Sequence, residues 1–505
     1  MTSDLRRSLV VLALVLVTGC GSTVQQASPG GVTPEQAGLT SDGGGAGSEL
    51  GGAPSVLQPE PDATAPLSGG AVDTGSAGTP DRTGPSPAAD AAPDPQAAPG
   101  APDDPGDRTP LKVGLIYVNN DAASGAGVDN DTSFGPRRVL EALVRAANAR
   151  GGLAGREVVP TYFELRSSSA SYSADLQAAC ARFVDDAKVA LVMSFLGLAE
   201  EQFSACLARA GIVHLNGSYA LGDDGSVRAQ PLTSSPVGVG ADRRLKVLLE
   251  RMSAAGHLTR TSRIGVVIEG CPYNQRAYDR TLAPTAKALG LDVVRARSTR
   301  CFGGINDLSG LASDAQAAVL DFATQDVDRV VFVSAVEGNL MLVFATAAKS
   351  QQYRPGYALS SLVIPNVIKD NVPREQLAGA KGVGWLPALD DAGDVTPTPA
   401  ADACVATLRS QGIAPSTRSD HYFAFSPCDA FGLAEKVLTQ SRGATDARRW
   451  NAGLDAVGTG FLGATVLDGR TDFRDRRREG PARARAFAYA QDCSCFRYTG
   501  GSFPL

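Results

Sequence analysis

From residue 111 onward the chain alternates between two hydrophobic patterns. Short runs rich in β-branched residues predict strands: KVGLIYV (112–118), EVVPTYFEL (157–165), VALVMSF (189–195), GIVHLNG (211–217), RIGVVIEG (263–270), LDVVRARS (291–298) and RVVFVSA (329–335). Between them, apolar residues recur at helical spacing in GPRRVLEALVRAANARG, SADLQAACARFVDD, AEEQFSACLARAG, YNQRAYDRTLAPTAKALG and SDAQAAVLDFATQ. Strand and helix in regular alternation predict parallel sheets covered on both faces. The series runs twice, over about 111–235 and about 262–362, with 236–261 between. The expected fold class is therefore α/β, with two Rossmann-like lobes and a cleft between them.

The first 109 residues follow neither pattern. Arg6 and Arg7 precede an apolar run, Leu9 to Val17, that is too short to span a ~30 Å hydrocarbon core and reads as a signal peptide over 1–19. The run ends in Val17-Thr18-Gly19-Cys20, which resembles a bacterial lipobox, so Cys20 is expected to carry the lipid anchor. A diacylated cysteine meets the two-chain requirement for stable attachment to a membrane. Residues 20–109 are mostly Gly, Ala, Pro, Ser, Thr and Asp, and bury too little apolar surface to offset the entropy of ordering. A disordered stalk is expected there.

Composition removes several functions. A formal net charge of −6 offers no basic footprint for nucleic acid. The three histidines, His214, His257 and His421, do not fall in metal-ligand spacing, and neither a G-x-S-x-G elbow nor a phosphate-binding G-x-x-x-x-G-K-[ST] loop occurs. The glycines of 379–384 lack the preceding strand that dinucleotide binding needs. The chain is expected to be no enzyme and to need no cofactor or metal. The arginine-rich run 468–490 poses a choice between contact with a polyanion and an ion-paired surface; the acidic remainder favours the second.

Four stretches carry a resemblance. ANARGGLAGREV (147–158) resembles the N-x-x-GG-x-x-G-R segment of type I periplasmic-type solute-binding proteins, most closely the branched-chain amino-acid-binding (Leu/Ile/Val receptor) family of ABC transporters. MSFLGLAEEQFSACLARAGIVHLNGSY (193–219), IGVVIEGCPYNQRAYDRTLAPTAKALGLDVV (264–294) and SPCDAFGLAEKVL (426–438) agree with that family in order and spacing, so the likeness covers roughly 111–440. It implies three crossings between lobes, with the first lobe at about 110–238 and 363–450 and the second at about 239–362 and 451–505. It also implies a hinge between the lobes, which close around a small-molecule solute. The implied role is capture of that solute at the extracytoplasmic face of the cell membrane and delivery to an ABC-transporter permease. The alternative is a sensing or scaffold lipoprotein that engages a protein partner.

Open α/β sheets bind ligands outside the carboxyl ends of their strands. This directs attention to the turns after Val118, Phe195, Gly217, Gly270, Ala335 and Ser361. The candidate ligand-binding residues are Asn119, Gly197, Asn216, Ser218, Tyr219, Tyr273, Glu337 and Ser361. Plainer roles compete: Asn119, Asn120 and Asp121 suit a turn, Tyr273 suits a helix cap, and Glu337 suits a solvated helix start. The resemblance assigns a carboxylate and an ammonium to first-lobe serines, threonines and backbone groups and to a second-lobe acid. Here Phe195-Leu196-Gly197-Leu198 replaces the serine-rich turn, and Ser360 and Ser361 stand near the acidic position, so a standard branched-chain amino acid is not the expected solute. Asp429 is read as structural.

Cys20 aside, eight cysteines remain, an even number that suits an oxidising compartment. The resemblance implies a disulfide near Cys180 and Cys206, and Cys271 and Cys301 follow successive strands closely enough to be linked. Cys404, Cys428, Cys493 and Cys495 leave their pairing open. Direct closure of Cys493-Ser494-Cys495 is strained, so each of these two is expected to reach back to the earlier pair. A site in which the four cysteines hold a metal is the rival reading.

Overall fold

The computed structural model describes residues 107–119, 134–197, 200–390, 393 and 397–505. Cys20, Asn120, Asp121 and Leu198 lie outside them. The strands are β1 (Leu111–Asn119), β2 (Val158–Arg166), β3 (Leu191–Phe195), β4 (Val213–Asn216), β5 (Ala220–Leu221), β6 (Thr233–Ser234) and β7 (Val239–Gly240), then β8 (Arg263–Gly270), β9 (Asp292–Arg300), β10 (Arg329–Val333), β11 (Gly356–Ser360), β12 (Lys381–Gly384), β13 (Arg483–Ala490) and β14 (Cys495–Pro504). The first lobe is built on a parallel sheet of order β2-β1-β3-β4-β6. The second is built on β14-β13-β12-β11-β10-β8-β9, parallel from β9 to β12 and antiparallel through β13 and β14. The seven strands expected from hydrophobic runs are all present.

The ANARGGLAGREV segment shows how sequence fixes the first βαβ unit. The helix Pro136–Ala149 starts on proline, whose missing N–H is no loss at that position, and buries Val139, Leu140, Leu143 and Val144. Asn148 near its end accepts from Val158 N at 2.8 Å and donates to Val158 O at 2.9 Å, which pins the start of β2. Gly152 turns the chain at φ +90°, and a Cβ there would stand 1.9 Å from Arg156 O. Only glycine fits that position. Arg156 in turn fixes the chain before β1, donating to Thr109 O at 2.7 Å and Gly443 O at 2.6 Å and pairing with Asp107 at 3.2 Å. Asp107 and Thr109, at the end of the stretch expected to be a stalk, are thus tied to the first lobe, and residues 20–106 of that stretch lie outside the described residues.

The crossings fall elsewhere than expected. β12 pairs with β11, so the second lobe keeps the chain well past 363. The helices Pro399–Ser410, Arg418–Gln440 and Ala447–Val457 pack on the first lobe through Leu408, Leu433, Val437, Trp450 and Leu454, in a cluster that extends to Phe473. The hairpin β13–β14 then returns to the second sheet. β12 escapes a hydrophobic scan because it is only KGVG. At Gly382 a Cβ would lie 2.4 Å from both Leu359 O and the Phe487 ring, so close packing excludes a larger residue.

Among the described residues there are four disulfides. Cys180–Cys206 and Cys271–Cys301 match expectation. The other two correct it: Cys404 pairs with Cys428 and Cys493 with Cys495. Cys404 and Cys428 sit on neighbouring helices with Cα atoms 5.9 Å apart. Cys493 and Cys495 flank Ser494, whose positive φ of 50° turns the chain at the β13–β14 connection. With all four joined as disulfides, they are not thiolate ligands. The arginine-rich run is largely partnered: Asp472 meets Arg474 and Arg477, Glu479 meets Arg243, and Arg483 donates to Ser502 O. Among the described residues, no helix is long and apolar enough to cross a membrane.

Candidate functional site between the lobes

The first-lobe side of the cleft is the turn after β4. Asn216 Oδ1 accepts from Ser218 N at 2.7 Å, Gly217 N donates to Ser194 O at 2.8 Å, and Ser426 Oγ donates to Gly217 O at 2.7 Å. Ser218 Oγ donates to Glu200 Oε1 at 2.7 Å and accepts from Gly197 N at 3.2 Å. Gly197, Asn216 and Ser218 are thus brought together, around an acid that the sequence did not single out. Beneath them His214 is fully buried, with Ser194 Oγ 2.8 Å from Nε2 and Ser204 Oγ 3.0 Å from Nδ1. Tyr219 stacks obliquely on Tyr422, ring centroids 5.0 Å apart, and burial pushes its phenol well above the usual range. Asn119 stands apart from this group and donates to Glu164 at 3.1 Å.

In the second lobe, Glu269 near the end of β8 accepts from Ser334 Oγ at 2.8 Å, Phe302 N at 3.1 Å and Asn274 Nδ2 at 3.1 Å. Burial raises its pKa against these bonds. Glu337, far from being solvated, is buried in an ion pair with Arg244 and accepts from Ser360 Oγ at 2.6 Å. Ser361 Oγ donates to Asp390 at 2.9 Å and accepts from Trp385 N at 2.9 Å. Tyr273 is half-buried on the helix Pro272–Ala277, and burial raises its phenol well above the usual range.

Several contacts join the lobes. Tyr172 N donates to Gly303 O at 2.8 Å and Ile305 N to Ser169 O at 3.0 Å, and the rings of Tyr172 and Phe302 meet edge to face at 5.9 Å. These loops follow β2 and β9, an edge strand of each sheet. Elsewhere Arg276 of the second lobe reaches Asp223 at 2.7 and 3.0 Å, Glu201 at 3.0 Å and Ser226 Oγ at 2.9 Å. Burial alone would raise Asp223, but the bonds from Arg276 and Ser226 outweigh it and hold the carboxyl at about 2. Beside Glu201 and Ser226 lies a cavity of about 20 Å³, lined also by Glu200, Asn216, Gln230, Thr233 and Arg478.

Asp429 has a structural position, accepting from Ala464 N at 2.6 Å and Thr465 N at 2.9 Å. Burial pushes its pKa to about 6, only partly offset by those bonds. The folded state then holds a proton that the unfolded state releases, so this group's contribution to stability falls as pH rises from about 4 to about 6. The loss is roughly 3 kcal/mol, from 1.36 kcal/mol per pKa unit. The stability of Asp429→Asn relative to the parent should rise by that amount between pH 4 and pH 7 in urea unfolding. A difference that does not change with pH would show that Asp429 keeps an ordinary pKa.

No protein-family model matches the chain, and no curated protein matches it in sequence. Solved structures do match. A substrate-binding protein of an ABC transporter from Desulfitobacterium hafniense, in complex with Leu, aligns with 77% of this chain and 99% of its own, at 15% identity and TM-score 0.52. A solute-binding protein from Rhodopseudomonas palustris, in complex with 3,4-dihydroxybenzoic acid, aligns with 79% of this chain and 98% of its own, at 12% identity and TM-score 0.56. A branched-chain amino-acid ABC transporter protein from Thermus thermophilus, with bound valine, covers 79% and 97%, at 14% identity and TM-score 0.54. Two lobes, their sheet orders and the loops at their strand ends agree with one conclusion: the chain has the fold of the type I substrate-binding proteins of ABC transporters.

Proposed function

We propose that the protein is an extracytoplasmic solute-binding lipoprotein, anchored through Cys20, that captures a small molecule between its lobes and delivers it to an ABC-transporter permease. The observation that carries this reading is the pairing of two α/β lobes whose facing loops are joined by Tyr172–Gly303 and Arg276–Glu201, as in a jaw closed over a cleft. The similar structures with bound leucine, valine and 3,4-dihydroxybenzoic acid support a small-molecule solute. A ligand that bridges both lobes binds the closed form better than the open one, and that difference drives closure.

The test is a thermal-shift screen of the full chain, unfolded and refolded to strip bound ligand, against amino acids, amides, aromatic acids, polyamines and sugars. A solute at 100 times its Kd stabilises by ~2.7 kcal/mol, which raises Tm by several degrees. One chemical class should produce that rise. A folded protein that answers none of them would point away from solute capture and towards a protein partner.

A further inference from the structure

We infer that the Cys271–Cys301 disulfide sets the contact between the lobes at Tyr172, and that its reduction releases that contact, so closure over a solute depends on the redox state of this pair; this rests on the solute-binding reading above. The disulfide sits where β8 and β9 stop. Gly270 and Arg300 are the last residues paired between these strands, and Cys271 and Cys301 are the next along each. The four residues after Cys301 carry the contact. Phe302 meets the Tyr172 ring, Gly303 O accepts from Tyr172 N, and Ile305 N donates to Ser169 O. Gly304 packs so closely on the first lobe that a Cβ there would stand 2.6 Å from Ala170 O.

Two consecutive glycines give this loop little conformational preference of its own, so its course depends on how it is held. Three attachments hold it on the second-lobe side. The disulfide fixes Cys301 to the end of β8, Phe302 N donates to Glu269 Oε1 at 3.1 Å, and Gly303 N donates to Asp307 Oδ2 at 2.8 Å. The first two converge, because Cys271 Sγ lies 3.4 Å from the same Glu269 Oε1. A disulfide sulfur has no proton to give, whereas a thiol has. Reduction therefore removes one attachment and brings a competing donor to the acceptor of the second.

The pair is open to attack from one side: Cys271 is 1% exposed, and Cys301 is exposed. Exposed disulfides are the labile ones. One thiolate of a dithiol reductant attacks Cys301 Sγ, the S–S electron pair leaves on Cys271 Sγ, and that sulfur takes up a proton. The second thiol of the reductant then attacks the mixed disulfide and releases Cys301 as a thiol. Two electrons and two protons pass to the pair, and the reductant ends as a disulfide.

The test is amide hydrogen exchange at Tyr172 and Ile305 in the full, ligand-free chain, since exchange reads local opening. Cys271→Ser/Cys301→Ser should speed exchange at both amides at least tenfold. Cys404→Ser/Cys428→Ser, which removes a disulfide between two helices of the first lobe, should leave both rates unchanged. Dithiothreitol titrated into the parent, with alkylation reporting each pair, should reproduce the first result as Cys271–Cys301 opens, and oxidised glutathione should reverse it. Rates at the two amides that match the parent's in Cys271→Ser/Cys301→Ser overturn the inference. So do equal accelerations in both variants, which would make the disulfide a staple of the fold, and a Cys271–Cys301 pair that opens only when circular dichroism shows unfolding. None of these readings needs a solute, so they stand apart from the screen. A solute that raises Tm equally in the parent and in Cys271→Ser/Cys301→Ser overturns the inference and leaves solute capture standing.

Discussion

Replacing Glu337 by alanine should lower the free energy of unfolding by about 3–5 kcal/mol, the loss expected when one member of a buried ion pair is removed and the other is left uncompensated. Arg244 and Glu337 are each almost wholly buried, at 4% and 1% exposure. The guanidinium also donates to Ser334 O at 3.1 Å, and its Nε has no hydrogen-bond partner. Without the carboxylate, Arg244 keeps a single carbonyl, and Ser360 Oγ loses its acceptor. The double variant Arg244→Met/Glu337→Leu should recover most of the loss, because the cost lies in stranding one charge rather than in lacking a pair. Urea unfolding of the two variants beside the parent distinguishes this from a weak pair. A cost below about 1 kcal/mol for Glu337→Ala would place the pair among surface-like interactions.

Arg276→Ala should weaken solute binding about tenfold or more. Its guanidinium joins the second lobe to Asp223, Glu201 and Ser226 of the first. Hydrogen bonds to charged groups contribute about 1.5–3 kcal/mol each when buried. Arg276 is one-third exposed, so solvent screening brings the whole cluster down towards the lower figure; about 1.4 kcal/mol is a factor of ten in Kd. These bonds exist only while the lobes touch, so the loss should fall on the closed form. Calorimetric titration with the solute found by the screen measures it. Equal affinity in variant and parent would mean that the Arg276 cluster does not contribute to closure.

What was legible in the sequence follows from the range of the interactions involved. β1, β3, β8 and β10 are runs of buried β-branched and apolar residues, and each declares itself locally. β12 does not, because its glycines answer to the Leu359 carbonyl and the Phe487 ring, on strands distant in sequence. The lobe crossings were misplaced for the same reason. At the site, Asn216 and Ser218 stood out because they end a buried strand. The residues that decide the chemistry around them did not: Glu200 meets Ser218 across 18 residues, and Arg276 meets Asp223 across 53. A carboxylate after a phenylalanine-leucine turn has no periodic or motif signal, and only folding reveals its contact. Cys493 and Cys495 were misread because a two-residue separation was judged without the turn at Ser494.

With the anchor at Cys20 as proposed, the grip of Arg156 on Asp107 and Thr109 would make the first lobe the stationary jaw. Asp107 and Thr109, at the start of the described chain, are held to the first lobe by this guanidinium. In a closing motion of the kind proposed, the second lobe is therefore the part that swings. On that proposal, a partner that touches only the first lobe would register the anchored half of the protein, and one that spans both lobes would register whether it is loaded.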